Sequence, residues 1–366
     1  MRDDDACPGA LQVHQAADGA LARLRLPGGM ITAAQLEVLA HTATEFGNAT
    51  LELTARGNLQ LRGVRDASAV AEAVAAAGLL PSPTHERVRN IVASPLSGRA
   101  GGLADVRPWV TELDLAIRAD PDLARLPGRF LFGLDDGRGD ISGLAADAGA
   151  HVLPDGVALL LAGRDTGIRL DSGEVVAALI TVARRFVEVR GKAWRVTELA
   201  DPSALVADAE PSAVPGATYP PVLRPPVGWI DQDDGGVALG AAVPLGVLTA
   251  RQAEFVAAID APVVITPWRS LLVCDLSEPV ADTSLRVLAP TGLVFDENSG
   301  WLDVSACVGS PGCDKSRGDV RAEASRVAVG GAIGAHVHYV GCERACGSPA
   351  SGEVFVATAD GFQRHR

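Results

Sequence analysis

The pattern of hydrophobic and polar residues changes its period several times within the first eighty residues, and each stretch of constant period predicts a helix or a strand. Apolar runs and alternating positions indicate strands, whereas apolar residues three and four apart indicate helices. Thr32 and Gly47 have the residue types that begin and end a helix. The predicted order is strand 21–26, a helix between Thr32 and Gly47, strands 50–54 and 59–64, and a helix from Asp66 or Ser68 to near Gly78.

Similar patterns predict elements in the rest of the chain. A sheet covered by helices is expected in the central region, because apolar strands there are interspersed with segments of helical spacing. The predicted helices are 109–117, 173–189 and 320–329, and the predicted strands are 126–136, which enters a turn, 156–162 and 336–340.

The first part of the chain recurs in its second part. Residues 26–40 align without gaps on residues 243–257, and seven of these fifteen positions are identical. Residues 51–54 match residues 263–266 after a shorter connection. Self-similarity of this kind predicts two related structural halves. The proline-rich segment 201–228 between them is predicted to be a stiff, ordered, extended connector.

The two copies differ where a ligand could bind. Arg56 and Gln60 of the first copy are replaced by Trp268 and Leu272 in the second, while Thr54 is kept as Thr266. A residue needed only to hold the strand pair should be retained in both copies. The difference therefore favours a ligand role for Arg56 and Gln60.

Composition narrows the classes of function. The chain has 366 residues, 48% of them hydrophobic, and a net charge of −13, which argues against general nucleic-acid binding. No apolar run approaches the roughly 20 residues of a membrane span, and the acidic N-terminus lacks a signal-peptide core, so a cytoplasmic protein is expected. Residues 54–99 nonetheless contain six arginines and three acidic residues, which indicates a site for an anionic ligand.

Four cysteines near the C-terminus form two pairs. Cys307 and Cys313 have a C-x5-C spacing, and Cys342 and Cys346 have a C-x3-C spacing. Four thiolates can hold a cubane iron–sulfur cluster, and glycines within the first loop would allow its backbone to approach the sulfides. Zinc and disulfides are the alternatives. The two other cysteines are expected to be a loop residue, Cys7, and a small buried residue, Cys274.

These motifs together resemble the siroheme-dependent sulfite and nitrite reductases. The resemblance covers most of the chain, and a branch that hydroxylates a cobalamin precursor is the most similar part of that superfamily. The motifs that carry it are Thr54-x-Arg56-x-Asn58-Leu59-Gln60-x-Arg62-Gly63, Arg89-Asn90, Leu126-Pro127-x-Arg129-Phe130, both cysteine pairs and, for the branch, Cys7-Pro8-Gly9, Asp18-Gly19-Ala20-Leu21 and Leu26-Pro27-Gly28-Gly29.

The resemblance implies an α+β, pseudo-twofold fold of two ferredoxin-like half-domains and two α/β lobes. The expected ranges are 1–79 for the first half-domain, 80–200 for the first lobe, 201–228 for the connector, 229–290 for the second half-domain and 291–366 for the second lobe with the cysteines.

The resemblance also implies a function. In that branch, O2 is used to hydroxylate precorrin-3A at C20 and a γ-lactone is closed, which gives precorrin-3B. The implied cofactors are a 4Fe-4S cluster on Cys307, Cys313, Cys342 and Cys346 and a mononuclear non-haem iron, for which His336 and His338 are candidates. No dinucleotide-binding fingerprint is found, so an external electron donor, an NADH-linked reductase or a ferredoxin, is expected. Neither nucleic acid nor membrane is an expected partner.

The implied site residues are mostly arginines. Arg56, Arg89 and Arg129 are the expected catalytic residues, and all three, with Gln60, Arg62 and Asn90, are expected to bind the carboxylates of a tetrapyrrole.

Two departures from the reductase pattern affect the choice of function. The reductases carry Lys-x-Lys where this chain has Arg129-Phe130-Leu131, so Leu131 weakens a reductase function. Ala345 replaces a common glycine before the last cysteine, and Glu343 adds a negative charge there. The alternatives are a siroheme-dependent sulfite or nitrite reductase and a non-enzymatic protein that binds a tetrapyrrole or a cluster.

Overall fold

The computed structural model describes residues 7–331, 334–349 and 351–365. The strands within these ranges are, in chain order, His14–Ala16 (β1), Gly19–Leu24 (β2), Met30–Ile31 (β3), Thr50–Leu53 (β4), Leu59–Val64 (β5), Ile91–Ala93 (β6), Phe132–Asp135 (β7), Ala148–Leu153 (β8), Gly156–Leu161 (β9), Arg164–Leu170 (β10), Gly228–Asp231 (β11), Val237–Ala242 (β12), Val247–Thr249 (β13), Val263–Ile265 (β14), Ser270–Leu276 (β15), Val304–Ala306 (β16), Val337–Val340 (β17), Glu353–Thr358 (β18) and Gly361–Arg364 (β19).

The α-helices within the same ranges lie between or beside these strands. They are Ala33–Phe46 (α1), Ala67–Ala76 (α2), Arg107–Ala119 (α3), Val175–Val189 (α4), Ala250–Ala257 (α5), Glu278–Leu288 (α6) and Val320–Val329 (α7).

Two five-stranded antiparallel sheets form the centre of the molecule. The first has the order β1-β2-β5-β4-β13 and the second β11-β12-β15-β14-β3. The short strand β13 comes from the second half of the chain but pairs with β4, with Leu248 opposite Leu51. Conversely, β3 comes from the first half and pairs with β14, with Ile31 opposite Val263. Each sheet therefore includes one strand from the other half.

The sequence repeat corresponds to a structural repeat. Thr32 caps α1 and Thr249 caps α5, each in a capping box with the glutamine three residues later. The two helices pack against each other, and apolar residues of both sheets and of α1, α2, α5 and α6 share one core. Burial on this shared core, rather than local helix propensity, is what holds the two halves together.

Two α/β units flank the paired sheets. In the central unit, the sheet order is β10-β9-β8-β7-β6, with β6, β7 and β8 parallel, and α3 and α4 pack on a separate core. In the C-terminal unit, the order is β16-β17-β18-β19, with the first three strands parallel, and α7 packs against the sheet. The predicted architecture of two half-domains and two α/β lobes is confirmed.

The connector follows the edge of the central sheet. Asp165 N donates to Ala217 O over 2.9 Å, and Ser212 N donates to Gly167 O over 3.0 Å. These bonds hold residues 212–217 along β10, whereas Pro202–Val206 at the start of the connector form a 3-10 turn. The predicted ranges of the domains and of the connector remain a prediction, since β3 and β13 each pair with the sheet of the other half.

Most predicted elements are found within a few residues of their expected bounds. Strand 59–64 and helix 320–329 match as predicted, whereas strand 126–136 is confined to β7, because residues 121–125 form a 3-10 turn and Phe130 N bonds Pro127 O.

No helix among the described residues is long and apolar enough to cross a membrane. The N-terminal residues on which the cytoplasmic expectation partly depended lie outside the described residues.

Candidate functional site

The four C-terminal cysteines line one cavity of about 270 Å³. Cys307 follows β16 and Cys342 follows β17, and these strands are parallel neighbours, so the sequence places both thiols at the same sheet edge. Cys313 and Cys346 approach from the loops that follow. Burial, together with the three neighbouring thiolates, raises the pKa of Cys346. Four thiolates in one cavity repel one another, and a positively charged metal group between them would offset that repulsion.

The positions of the thiols bear on which group the cysteines could hold. All six cysteines are free, so the disulfide alternative is wrong. Tetrahedral zinc with Zn–S bonds near 2.3 Å would bring sulfur atoms within about 3.8 Å of one another. Among the described residues, no three of these thiols lie within 4.8 Å of one another. Zinc, which would need the thiols to move closer together, and a cubane, in which each thiolate binds a different iron, both stay candidates.

Backbone and side-chain donors hold the cysteine loops. Gly341 N lies 3.3 Å from Cys307 Sγ, an amide contact of the kind that stabilises a thiolate. Arg62 is buried, and its Nη2 donates to Gly312 O over 2.9 Å. The same guanidinium forms a bidentate pair with Asp18 at 2.9 and 2.7 Å. Arg62 thus fastens the first cysteine loop to β5.

A second cavity of about 370 Å³ lies on the other side of the Cys346 loop, and we call it the cleft. The tryptophans Trp268 and Trp301 give it apolar surface, and Arg269, Ser305 and His336 add polar groups. Its other walls include Ala55, residues 143–145, connector residues 221–223 and 225, residues 242, 243, 245 and 246, and residues 347–349. Because Cys346 borders the cysteine cavity and Gly347 borders the cleft, one loop separates the two spaces.

Several arginines surround the end of the cleft at Ala55. Arg56 Nη1 donates to Gly128 O over 3.4 Å. Burial and the neighbouring charge of Arg195 lower the pKa of Arg56 to about 10, although the negative charge of Asp147 acts in the opposite direction. Arg195 pairs with Asp147 at 2.6 Å and donates to Ala145 O, which borders the cleft. This end of the cleft is positively charged and suits an anionic group.

Two further predicted residues belong to the same neighbourhood. Asn90 Nδ2 donates to Gly128 O over 3.0 Å, so Arg56 and Asn90 meet at one carbonyl. Arg129 is exposed, and its guanidinium lies 4.8 Å from the ring of Trp194. The structure thus brings Arg56, Asn90 and Arg129 together around the 128–129 turn.

The remaining predicted residues point elsewhere. Gln60 accepts from Arg23 and donates to Glu52, so it lies on the polar face of the first sheet. Arg89 is buried in a bidentate pair with Asp114 of α3, at 2.5 and 3.0 Å, apart from the cleft walls. A substrate role for Arg89 stays a prediction, and this ion pair would have to open for it.

Sequence reasoning missed several basic residues. Arg23 on β2 and Arg25 directly after it alternate with buried apolar residues, a pattern that was visible in the sequence. Burial lowers the pKa of Arg25 to about 9, and its Nε and Nη1 lack a hydrogen-bond partner. Arg269 occupies the position that aligns with Gly57 in the repeat, a difference that could have been noticed. For Arg195, nothing in the sequence gave a signal.

The candidate histidines for a mononuclear iron are already engaged. Ser305 Oγ lies 2.8 Å from His336 Nε2 and 2.7 Å from His338 Nδ1. His338 Nε2 donates to Cys346 O over 3.0 Å, and His336 also makes a backbone hydrogen bond with Leu302. The histidines therefore order the loop beside Cys346.

An acidic group offers the other conceivable metal ligands. Asp135, Asp136 and Asp140 have carboxylate oxygens within 4.8 Å of one another. Asp135 accepts four backbone N–H groups of residues 137–142, and Asp136 is paired with Arg138. These oxygens are already satisfied, so the described residues do not present a preformed site for a mononuclear iron.

Comparisons with known proteins agree with this geometry. Residues 14–77 match the nitrite/sulfite reductase ferredoxin-like half domain. The Mycobacterium tuberculosis NirA protein has the same fold, with a TM-score of 0.77 over 94% of this chain and 74% of its own, at 20% identity. Residues 14–77 thus resemble the ferredoxin-like half domain of nitrite and sulfite reductases, and the chain as a whole shares the fold of the NirA protein.

The proteins that are similar in sequence differ in how much of this chain they match. A precorrin-3B synthase of Sinorhizobium sp. is 28% identical over 376 residues, which cover 97% of this chain and 80% of the relative. A ferredoxin–nitrite reductase of Synechococcus elongatus is 34% identical over 127 residues, 32% of this chain and 25% of the relative. The corresponding Arabidopsis thaliana enzyme is 32% identical over 30% of this chain and 20% of its own length.

Proposed function

We propose that the protein is an oxygen-dependent monooxygenase that converts precorrin-3A to precorrin-3B in cobalamin biosynthesis. One observation carries the proposal. Similarity to a precorrin-3B synthase extends over 97% of the chain, whereas similarity to the nitrite reductases covers about a third of it. The part shared with the reductases includes their half-domain, which does not by itself specify a reaction.

The surroundings of Leu131 support an oxygenase over an anion reductase. Leu131 is 4% exposed and packs with Val92, Ile141 and Ala146 in a small apolar cluster. The reductases carry a lysine there, which supplies charge and protons to the anion being reduced. An ammonium group could not replace Leu131 without a large desolvation cost.

We further propose that Cys307, Cys313, Cys342 and Cys346 hold a 4Fe-4S cluster. When bound, such a cluster supplies electrons one at a time. The chain's own contribution is to fix the cysteine loops, through Arg62 at Gly312 and the Gly341 amide at Cys307. The loop of Cys346 would place this electron source directly beside the occupant of the cleft.

The cleft is proposed to hold the tetrapyrrole. Its tryptophan and proline surfaces suit a flat macrocycle, and the arginines near Ala55 suit carboxylate arms. In the proposed reaction, one atom of O2 enters C20 of the macrocycle and the other leaves as water. That balance needs two electrons and two protons, and we propose an external donor, an NADH-linked reductase or a ferredoxin, as the source of the electrons.

The test begins with the protein purified without air. We expect a broad iron–sulfur absorbance, no extractable siroheme, and conversion of precorrin-3A that depends on O2 and on added reductant. Cys313→Ser should lose the iron–sulfur absorbance, while Cys274→Ala, at a buried cysteine on β15, should keep it.

The main alternative is a siroheme-dependent sulfite or nitrite reductase, which the half-domain match favours. Sharp haem bands, extractable siroheme and reduction of sulfite or nitrite would replace the oxygenase proposal with this one. Cluster absorbance with tetrapyrrole binding but without turnover under any of these conditions would instead indicate a binding protein.

A further inference from the structure

Arg269 has a backbone conformation that an arginine rarely adopts. Its φ is 57°, in the left-handed region, where a side chain with a Cβ is strained. In the sequence repeat, the aligned residue is Gly57, which has a φ of 65°. Glycine would satisfy the same turn without strain. The second half therefore carries an arginine at a position where the backbone favours glycine.

Two glycines make room for the Arg269 side chain. A Cβ on Gly246 would lie 3.0 Å from Arg269 Cδ, and a Cβ on Gly347 would lie 2.8 Å from Arg269 Nη2. Gly347 directly follows Cys346. A side chain at Gly246 would press on the aliphatic part of Arg269, and one at Gly347 would press on its guanidinium, so both glycines leave space for this side chain beside the Cys346 loop.

The guanidinium borders the cleft without a counter-ion in direct contact. Among the described residues, its nitrogens make no hydrogen bond or ion pair. Glu52 is the carboxylate whose charge acts on Arg269, but its oxygens are held by Arg321 and by Gln60, the latter at 2.7 Å. A partly buried charge without a counter-ion is costly, and a bound anion would offset that cost.

We propose that Arg269 binds one carboxylate arm of the tetrapyrrole at the cysteine end of the cleft and thereby sets the orientation of the macrocycle. The inference rests on the proposed function, because it takes a tetrapyrrole as the occupant of the cleft. A macrocycle with carboxylate arms around its rim could enter in several orientations. A rigid guanidinium fork at one end selects the orientation in which an arm reaches it, since the fork matches a carboxylate in a bidentate manner.

Binding of a charged and an uncharged macrocycle tests this role. The probes are sirohydrochlorin, which carries carboxylate arms, and its amide derivative, in which the arms are neutral. Arg269→Gly and Arg269→Gln should raise the Kd of the carboxylate form about 10- to 100-fold and leave the Kd of the amide form unchanged. Arg269→Gly also relieves the backbone strain, so loss of fold would not explain weaker binding.

Asp260→Gly is the matched control. Asp260 is exposed, has a φ of 56° and lies outside the cleft walls, so the same relief of strain should leave both Kd values unchanged. Wild-type affinity of both Arg269 variants for the carboxylate form would overturn the role of Arg269 alone. A wild-type protein that binds neither probe would overturn the tetrapyrrole site, and this inference with it.

Discussion

At the scale of single residues, Arg56 is the main candidate for binding an anionic group. It differs between the two repeats, lies beside a cleft wall, and shares the Gly128 carbonyl with Asn90. Its positive charge is only partly balanced, because the attraction of the Asp147 carboxylate is opposed by the repulsion of the Arg195 guanidinium. We propose that Arg56 serves to bind a carboxylate rather than to stabilise the fold.

We therefore expect Arg56→Ala to raise the Kd of a carboxylate tetrapyrrole about 10- to 100-fold, since a charge-assisted hydrogen bond is lost. Arg56→Lys should recover part of the affinity, because it keeps the charge but loses the fork. The measurement is an absorbance titration, with exposed Arg286→Ala on α6 as the control. Full affinity and turnover in Arg56→Ala would contradict this role.

The sequence predicted some of these residues better than others. The cysteines could be grouped because two short loops carry all four thiols. Arg89 could not be placed, because its partner Asp114 is 25 residues away on α3 and the pairing depends on how that helix packs. Arg269 was visible only as a mismatch with Gly57, and its meaning depends on a positive φ that no spacing rule gives.

At the scale of elements, Arg62 links a strand of the first sheet to a loop 250 residues later. Arg62→Met should therefore loosen the Cys307–Cys313 loop while the sheet stays folded. Each lost charge-assisted hydrogen bond contributes about 1.5–3 kcal/mol, so loss of iron to a chelator should accelerate at least tenfold. The decay of visible absorbance measures this.

Arg65→Met is the control for the same strand end. Arg65 donates to the carbonyls of Glu45 and Gly47, away from the cysteine loops, so its loss should leave the chelation rate unchanged. Equal rates for the Arg62 and Arg65 variants would show that the link to Gly312 does not hold the loop.

Elements with strong local signals were predictable, whereas their pairing was not. Helix α1 has a capping box and apolar residues at helical spacing, and helix 320–329 was placed correctly for similar reasons. The strands β3 and β13 have two and three residues, too few for a period to be recognised, and their partners belong to the other half of the chain. Only the folded pair of sheets reveals them.

For the whole molecule, Asp140 makes stability depend on pH. Burial and the neighbouring charges of Asp135 and Asp136 raise the pKa of Asp140 to about 7. The hydrogen bond from the Ser94 hydroxyl and the charge of Arg138 lower it, but by less. An unfolded aspartate has a pKa near 3.9. Between these values the folded protein holds the proton and the unfolded chain does not, so the stability contributed by Asp140 is lost as pH rises towards 7.

Asp140→Asn should remove this dependence. Relative to wild type, the free energy of unfolding of the variant should increase between pH 5.5 and 7, by up to about 1.4 kcal/mol per pH unit. Urea unfolding at several pH values measures it, and Asp122→Asn, at an exposed carboxylate, is the control. A constant difference between Asp140→Asn and wild type would contradict the raised pKa.

The exchange of β3 and β13 has a consequence for how the two halves are joined. Two separate chains that traded these strands would form a domain-swapped dimer, and this protein has that arrangement within one chain. The covalent link through residues 201–228 is then not what holds the halves in place. A chain cut within that link would remain a single particle, because each piece supplies backbone partners that complete the other's sheet.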